Sequence, residues 1–125
     1  MPTILVVDDE PSIRKLIALI LQQEGFSVLT ASGARQAISL SRMHSGEIDL
    51  LVSDVSMPEM DGPTLAKQLL SENSTLEVLL ISGCCDGQQL KDCRPFALLP
   101  KPLYLPSFLG AVQSLTSKSV PQPAA

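Results

Sequence analysis

Five short apolar runs recur along the chain, each closed by a polar residue or a turn, and the stretches between most of them carry helical periodicity. This alternation constrains the fold more than any other feature. Thr3-Ile4-Leu5-Val6-Val7 is an unbroken, largely β-branched run that ends at Asp8. A strand with one wet face would alternate, so this run reads as a central strand buried on both faces. Phe26–Thr30 alternates in part and reads as an edge strand. Leu50-Leu51-Val52 is fully apolar and stops at Asp54, while Leu76–Ile81 and Phe96–Leu99 supply the fourth and fifth runs.

Pro11 opens the first intervening helix at a position where its missing N–H costs nothing. Ile13, Leu16, Ile17, Ile20 and Leu21 then form one apolar stripe, and Gly25 ends it. Gly33 to His44 repeats the pattern with Ala34, Ala37 and Ile38. Met57-Pro58 forces a loop, after which Asp61-Gly62-Pro63 opens a helix through Leu65, Ala66, Leu69 and Leu70. Between the fourth and fifth runs only Gln88–Cys93 has helical character, about a turn and a half, which predicts a shortened helix there. Leu105, Phe108, Leu109, Val112 and Leu115 line a last helix. Such β–α units predict an α/β fold, a doubly wound five-stranded parallel sheet with helices on both faces. One domain spans residues 1–117, and 118–125 read as a disordered tail or the start of a linker.

Composition removes several classes of function. With 9 Lys and Arg against 13 Asp and Glu, the net charge is −4, and no basic stripe exists to grip a phosphate backbone. Three Phe, one Tyr and no Trp leave no stacking platform, so direct nucleic-acid binding is not expected. No apolar run approaches the roughly 20 residues of a membrane span, and no basic segment precedes the first run as in a signal peptide. Cys84, Cys85 and Cys93 make a poor disulfide framework and, with the single His44, a poor zinc set; they read as cytosolic thiols.

In doubly wound sheets, function collects at the carboxyl ends of the strands, near the point where strand order reverses. Here those ends are Asp8-Asp9-Glu10, Asp54, Ser82-Gly83 and Pro100-Lys101-Pro102. Two carboxylates near 4 Å repel by about 4 kcal/mol at an effective dielectric of 20, so gathering them without a cation is a pure cost. Mg²⁺ removes that cost and favours one or two carboxylates together with water and phosphate oxygens. Lys101 adds a point charge suited to a phosphoryl oxygen, and Ser82 adds a hydroxyl donor. A carboxylate in this setting can accept a phosphoryl group in line, giving an aspartyl phosphate.

These residues carry a family resemblance. Asp8-Asp9-Glu10, the run Asp-Val-Ser-Met-Pro-Glu-Met-Asp-Gly over 54–62, Ser82-Gly83 and Lys101-Pro102 resemble the receiver domain of bacterial two-component response regulators, from Thr3 to about Leu115. The resemblance implies a flavodoxin-like sheet of strand order 2-1-3-4-5. It implies Asp54 as phosphoacceptor, Ser82 as the hydroxyl that reorients and Lys101 as the ligand of the phosphoryl group. It further implies Mg²⁺ held by Asp9, Asp54 and the Ser56 main-chain carbonyl directly and by Asp8 through water. The phosphodonor would be a phosphohistidine on a sensor histidine kinase or histidine phosphotransfer protein in the cytoplasm. Apart from its own phosphorylation and dephosphorylation, such a domain catalyses nothing.

Two departures qualify that expectation. Receivers usually place Tyr or Phe three residues before the lysine, and this chain has Leu98; Phe96 should point to the same face. The short Ser82–Lys101 stretch argues against the family's standard dimer. An FMN-binding flavodoxin is disfavoured by the acidic first loop, and the phosphate-loop motif Gly-x-x-x-x-Gly-Lys is absent. A haloacid dehalogenase-type phosphatase needs a second Asp where Ser56 stands. The strongest alternative is a phosphorylation-silent, receiver-fold interaction module.

Overall fold

The computed structural model describes residues 2–83, 91, 93 and 95–117. Five strands, β1 (Thr3–Val7), β2 (Ser27–Ala31), β3 (Leu50–Asp54), β4 (Glu77–Ser82) and β5 (Ala97–Pro100), form one sheet of order β2-β1-β3-β4-β5. Every neighbouring pair is parallel. The helices are α1 (Pro11–Gln23), α2 (Ala34–Met43), α3 (Gly62–Glu72) and α4 (Leu105–Ser117). Among the described residues, no helix is long and apolar enough to cross a membrane. Of the short helix expected at Gln88–Cys93, Lys91 and Cys93 are helical. The remaining positions of that segment, with Cys84 and Cys85, lie outside the described residues, as does the tail at 118–125.

The unbroken apolar strands have the reason anticipated for them: each serves two cores. Leu5, Val7, Leu51, Val78 and Leu80 point to the face covered by α2 and α3. Ile4, Val6, Leu50, Val52, Leu79 and Ile81 point to the face covered by α1 and α4, where Phe108 and Val112 close over them. The period of two in the pleat divides each run between the layers. β2 lies at the sheet edge, in keeping with its mixed pattern: Ser27 and Thr30 are exposed, Val28 and Leu29 half-buried, and only Ala31 is buried.

Three strands sit one residue later than the runs expected for them. β2 covers Ser27–Ala31, not Phe26–Thr30, because the Phe26 N–H is held by the Leu21 carbonyl at the end of α1. β4 starts at Glu77, whose N–H bonds the Asp49 carbonyl, while the buried Leu76 belongs to the preceding turn. β5 runs to Pro100, which an edge strand tolerates because the missing N–H is not needed by a neighbour. The Lys101 N–H then donates to the Ser82 carbonyl at 2.7 Å, so the chain leaves the sheet still pinned to β4.

The turn between β3 and α3 is tight. Gly62 donates its N–H to the Val55 carbonyl at 2.8 Å, and a Cβ there would press on the Asp54 carbonyl oxygen and lie 3.1 Å from Val55 Cα. Asp61 caps α3 through a 2.8 Å bond to the Thr64 N–H. Because the clash is with backbone, Gly62→Ala should destabilise the fold by about 1–3 kcal/mol, read as a lower urea midpoint with an unchanged slope.

Candidate functional site

The carboxyl ends of β1 and β3 bring three acids together. Asp8 follows β1, Asp54 closes β3, and carboxylate oxygens of Asp8, Asp9 and Asp54 lie within 4.8 Å of one another. Asp8 is 2% exposed and Asp54 9% exposed, whereas Asp9 faces solvent. Lys101, arriving from the end of β5, places its Nζ 3.0 Å from Asp54 Oδ2 and 3.4 Å from Asp8 Oδ2. The ammonium thus bridges the two buried carboxylates.

Backbone geometry holds these groups in place. The Glu10 N–H donates to Asp8 Oδ1 at 2.9 Å, and the Ser56 N–H donates to Asp54 Oδ1 at 3.3 Å. Ser56 itself is exposed in the loop that follows β3. Glu10 lies at the N-cap of α1 with its Oε1 accepting from Ser12 Oγ, apart from the converging trio. Ser82 is buried at the end of β4, beside Pro100 in register and one residue past Ile81, the partner of Asp54. The sequence reading missed Arg14, whose guanidinium donates to the Asp8 carbonyl at 2.8 Å and braces the turn out of β1. Nothing in a lone arginine one turn into a helix signals that role.

Burial pushes the Asp8 carboxyl above its ordinary value; the Glu10 N–H and the Lys101 charge offset this only in part, and the neighbouring Asp54 charge adds to the rise. Burial alone would lower Lys101, but its bond and charge contact with Asp54, reinforced by Asp8, carry it above the usual lysine range. The ammonium is therefore charged at every physiological pH. The carboxylates still outnumber the cation that touches them, and their hard oxygens suit a divalent ion such as Mg²⁺.

The comparisons with known proteins bear directly on this arrangement. Residues 4–113 match the family model described as the response regulator receiver domain. The chain belongs to that family. It is 34% identical over 119 residues to the sensor kinase CckA of Brucella abortus, an alignment covering 93% of this chain and 13% of the kinase. The receiver domain of a hybrid histidine kinase CckA has a TM-score of 0.79 at 34% identity, covering 91% of this chain and 98% of that one. A chain from the CheX–CheY–BeF₃–Mg complex of Borrelia burgdorferi has a TM-score of 0.83 at 30% identity, covering 91% and 88%. The chain spans 13% of the Brucella kinase and about a third of the transcriptional regulators it also matches. This is therefore a receiver domain of the two-component signalling type, a signalling module by family.

Asp8 binds a proton more tightly folded than unfolded, so its charge opposes folding above the raised value, and the opposition fades as pH falls toward the ordinary aspartate range near 3.9. In buffer free of divalent ions, Asp8→Asn should melt above the wild type at pH 7. The gap should narrow as the pH is lowered toward about 4. Thermal melts across that range check both the sign and the window.

Proposed function

We propose that this receiver takes a phosphoryl group onto Asp54 from a phosphohistidine on a histidine kinase or phosphotransfer protein, and that the acyl phosphate changes which partners it binds. The observation that carries this reading is the nearly buried Asp54 carboxylate, 3.0 Å from the Lys101 ammonium and within reach of the Asp8 and Asp9 oxygens. An Asp54 oxygen attacks phosphorus, the new O–P bond forms as the N–P bond breaks, and the electron pair leaves on the imidazole nitrogen.

Lys101 has a defined task in that step. Its charge, now shared between two carboxylates, can move to a phosphoryl oxygen as Asp54 is esterified, and Ser82 on the adjoining strand supplies the hydroxyl for another. Mg²⁺, held by Asp9, Asp54 and the Ser56 main-chain carbonyl and through water by Asp8, would supply divalent charge against the transferring oxygens. Hydrolysis of the acyl phosphate returns the Asp54 carboxylate and resets the module. A kinase-fed receiver of this kind works in the cytoplasm, with residues 1–117 as the working domain.

One observation favours a second reading, a phosphorylation-silent interaction module. Leu98, half-buried with Phe96 against the α2/α3 core, stands where the family resemblance leads one to expect a mobile aromatic ring. The Asp54–Lys101 pair weighs against it, since a silent module has no use for a buried carboxylate beside an ammonium.

Incubation with acetyl phosphate and Mg²⁺ followed by intact-mass measurement separates the two. The wild type should gain about 80 Da and Asp54→Asn should not. Lys101→Met should be labelled at least about 100-fold more slowly. Equal labelling of Asp54→Asn, or none of the wild type, would overturn phosphoacceptance.

A further inference from the structure

Arg14 holds the turn that carries two of the three acids, and the phosphoryl chemistry assigns it no task. Its Nη1 donates to the Asp8 carbonyl at 2.8 Å, while its main-chain N–H donates to the Glu10 carbonyl at 3.0 Å. One residue of α1 thus grips both ends of the segment 8–10. The other polar atoms of Asp8 are engaged as well: its N–H on the Ala31 carbonyl, Oδ1 on the Glu10 N–H and Oδ2 on Lys101.

Asp9 is held differently. Its side chain faces solvent, and the ion pairs of Lys101 go to Asp8 and Asp54. Its place within 4.8 Å of their oxygens is therefore set by the backbone that carries it. The peptide between Asp8 and Asp9 is planar, so the carbonyl of the first and the Cα of the second turn together. A bond on the Asp8 carbonyl fixes the direction in which the Asp9 side chain leaves the chain. Mg²⁺ accepts little error in that direction, because it demands near-octahedral ligands at about 2.0–2.1 Å.

We propose that Arg14 is a positioning residue for the divalent-cation site: by anchoring the Asp8 carbonyl it aims the Asp9 carboxylate at the point shared with Asp8 and Asp54. This role presupposes Asp9 as a direct Mg²⁺ ligand, the reading proposed for the site. Its sign is opposite to that of charge alone. A positive charge near a cation site repels the cation, so removing it as a charge would tighten Mg²⁺ binding. Removing it as an anchor weakens binding, by roughly 10- to 100-fold for a group that orients a metal ligand.

Titration of the full chain with MgCl₂, followed by backbone amide NMR shifts well below every variant's melting temperature, tests this. Arg14→Met, which keeps the alkyl stem of a half-buried side chain, and Arg14→Ala should each weaken Mg²⁺ binding at least about tenfold. Should one of them fail to fold, the other reads the effect. In an Asp9→Asn background the aimed ligand is already lost, so Arg14→Met should add less than about twofold. A merely structural role would cost the same in both backgrounds. Wild-type or tighter Mg²⁺ binding in the Arg14 variants, or an undiminished loss in Asp9→Asn, overturns the role of Arg14 and leaves the cation site standing. A wild-type chain that binds no Mg²⁺ overturns the site itself, and the role of Arg14 with it.

Discussion

A single ammonium group lying between two nearly buried carboxylates is the contact on which the rest of this structure depends. Lys101 Nζ reaches Asp54 at 3.0 Å and Asp8 at 3.4 Å, and both acids sit where water is largely excluded. Removing two like charges from water is costly, and the cost is met only when a cation is held in fixed geometry against them. That geometry requires β1, β3 and β5 to end at the same rim. Parallel pairing achieves it, because every strand then delivers its carboxyl end to one side of the sheet. β4 lies between Asp54 and Lys101, and the Lys101 N–H on the Ser82 carbonyl ties the lysine to it.

The two layers on either side of the sheet are unlike each other in what they leave at the surface. The α2/α3 layer packs Val7, Leu51 and Leu80 with Ala34, Ala37, Leu65 and Ala66, and small residues let these helices lie close. Leu98 and Phe96 both pack on this layer, so the expectation that they share a face holds, although Phe96 lies one residue ahead of β5. The α1/α4 layer buries Phe108 and Val112 but keeps exposed leucines and a cavity outside them, the cavity lined by Lys101 and Gly83 as well.

Much of the fold could be read from one periodicity. The unbroken run Thr3–Val7 announced a strand covered on both faces, and the stripe from Ile13 to Leu21 announced the helix that covers one of them. The ends of β2, β4 and β5 were misplaced by a residue, since hydrogen bonds from Phe26 and Glu77 and a tolerated edge proline leave no mark on an apolar pattern. Asp8, Asp9, Asp54, Ser82 and Lys101 could be named because each stands just past an apolar run, where a doubly wound sheet collects its chemistry. Arg14 could not, because its task is a bond to a main-chain oxygen in the turn before its own helix, which a side-chain pattern does not mark.

By itself, then, the sequence determined the α/β architecture and which side chains would meet at one rim. Local periodicity and strand-end position are properties of consecutive residues, and they survive without knowledge of the packing. The tertiary structure alone decided that Lys101 bridges Asp8 and Asp54, that Asp8 is buried deeply enough to hold its proton more tightly, and that Gly62 must lie against the Asp54 carbonyl. It also decided that α1 and α4 flank a cavity that Lys101 lines as well. Each of these depends on distances between residues far apart in the chain, which no spacing along it encodes.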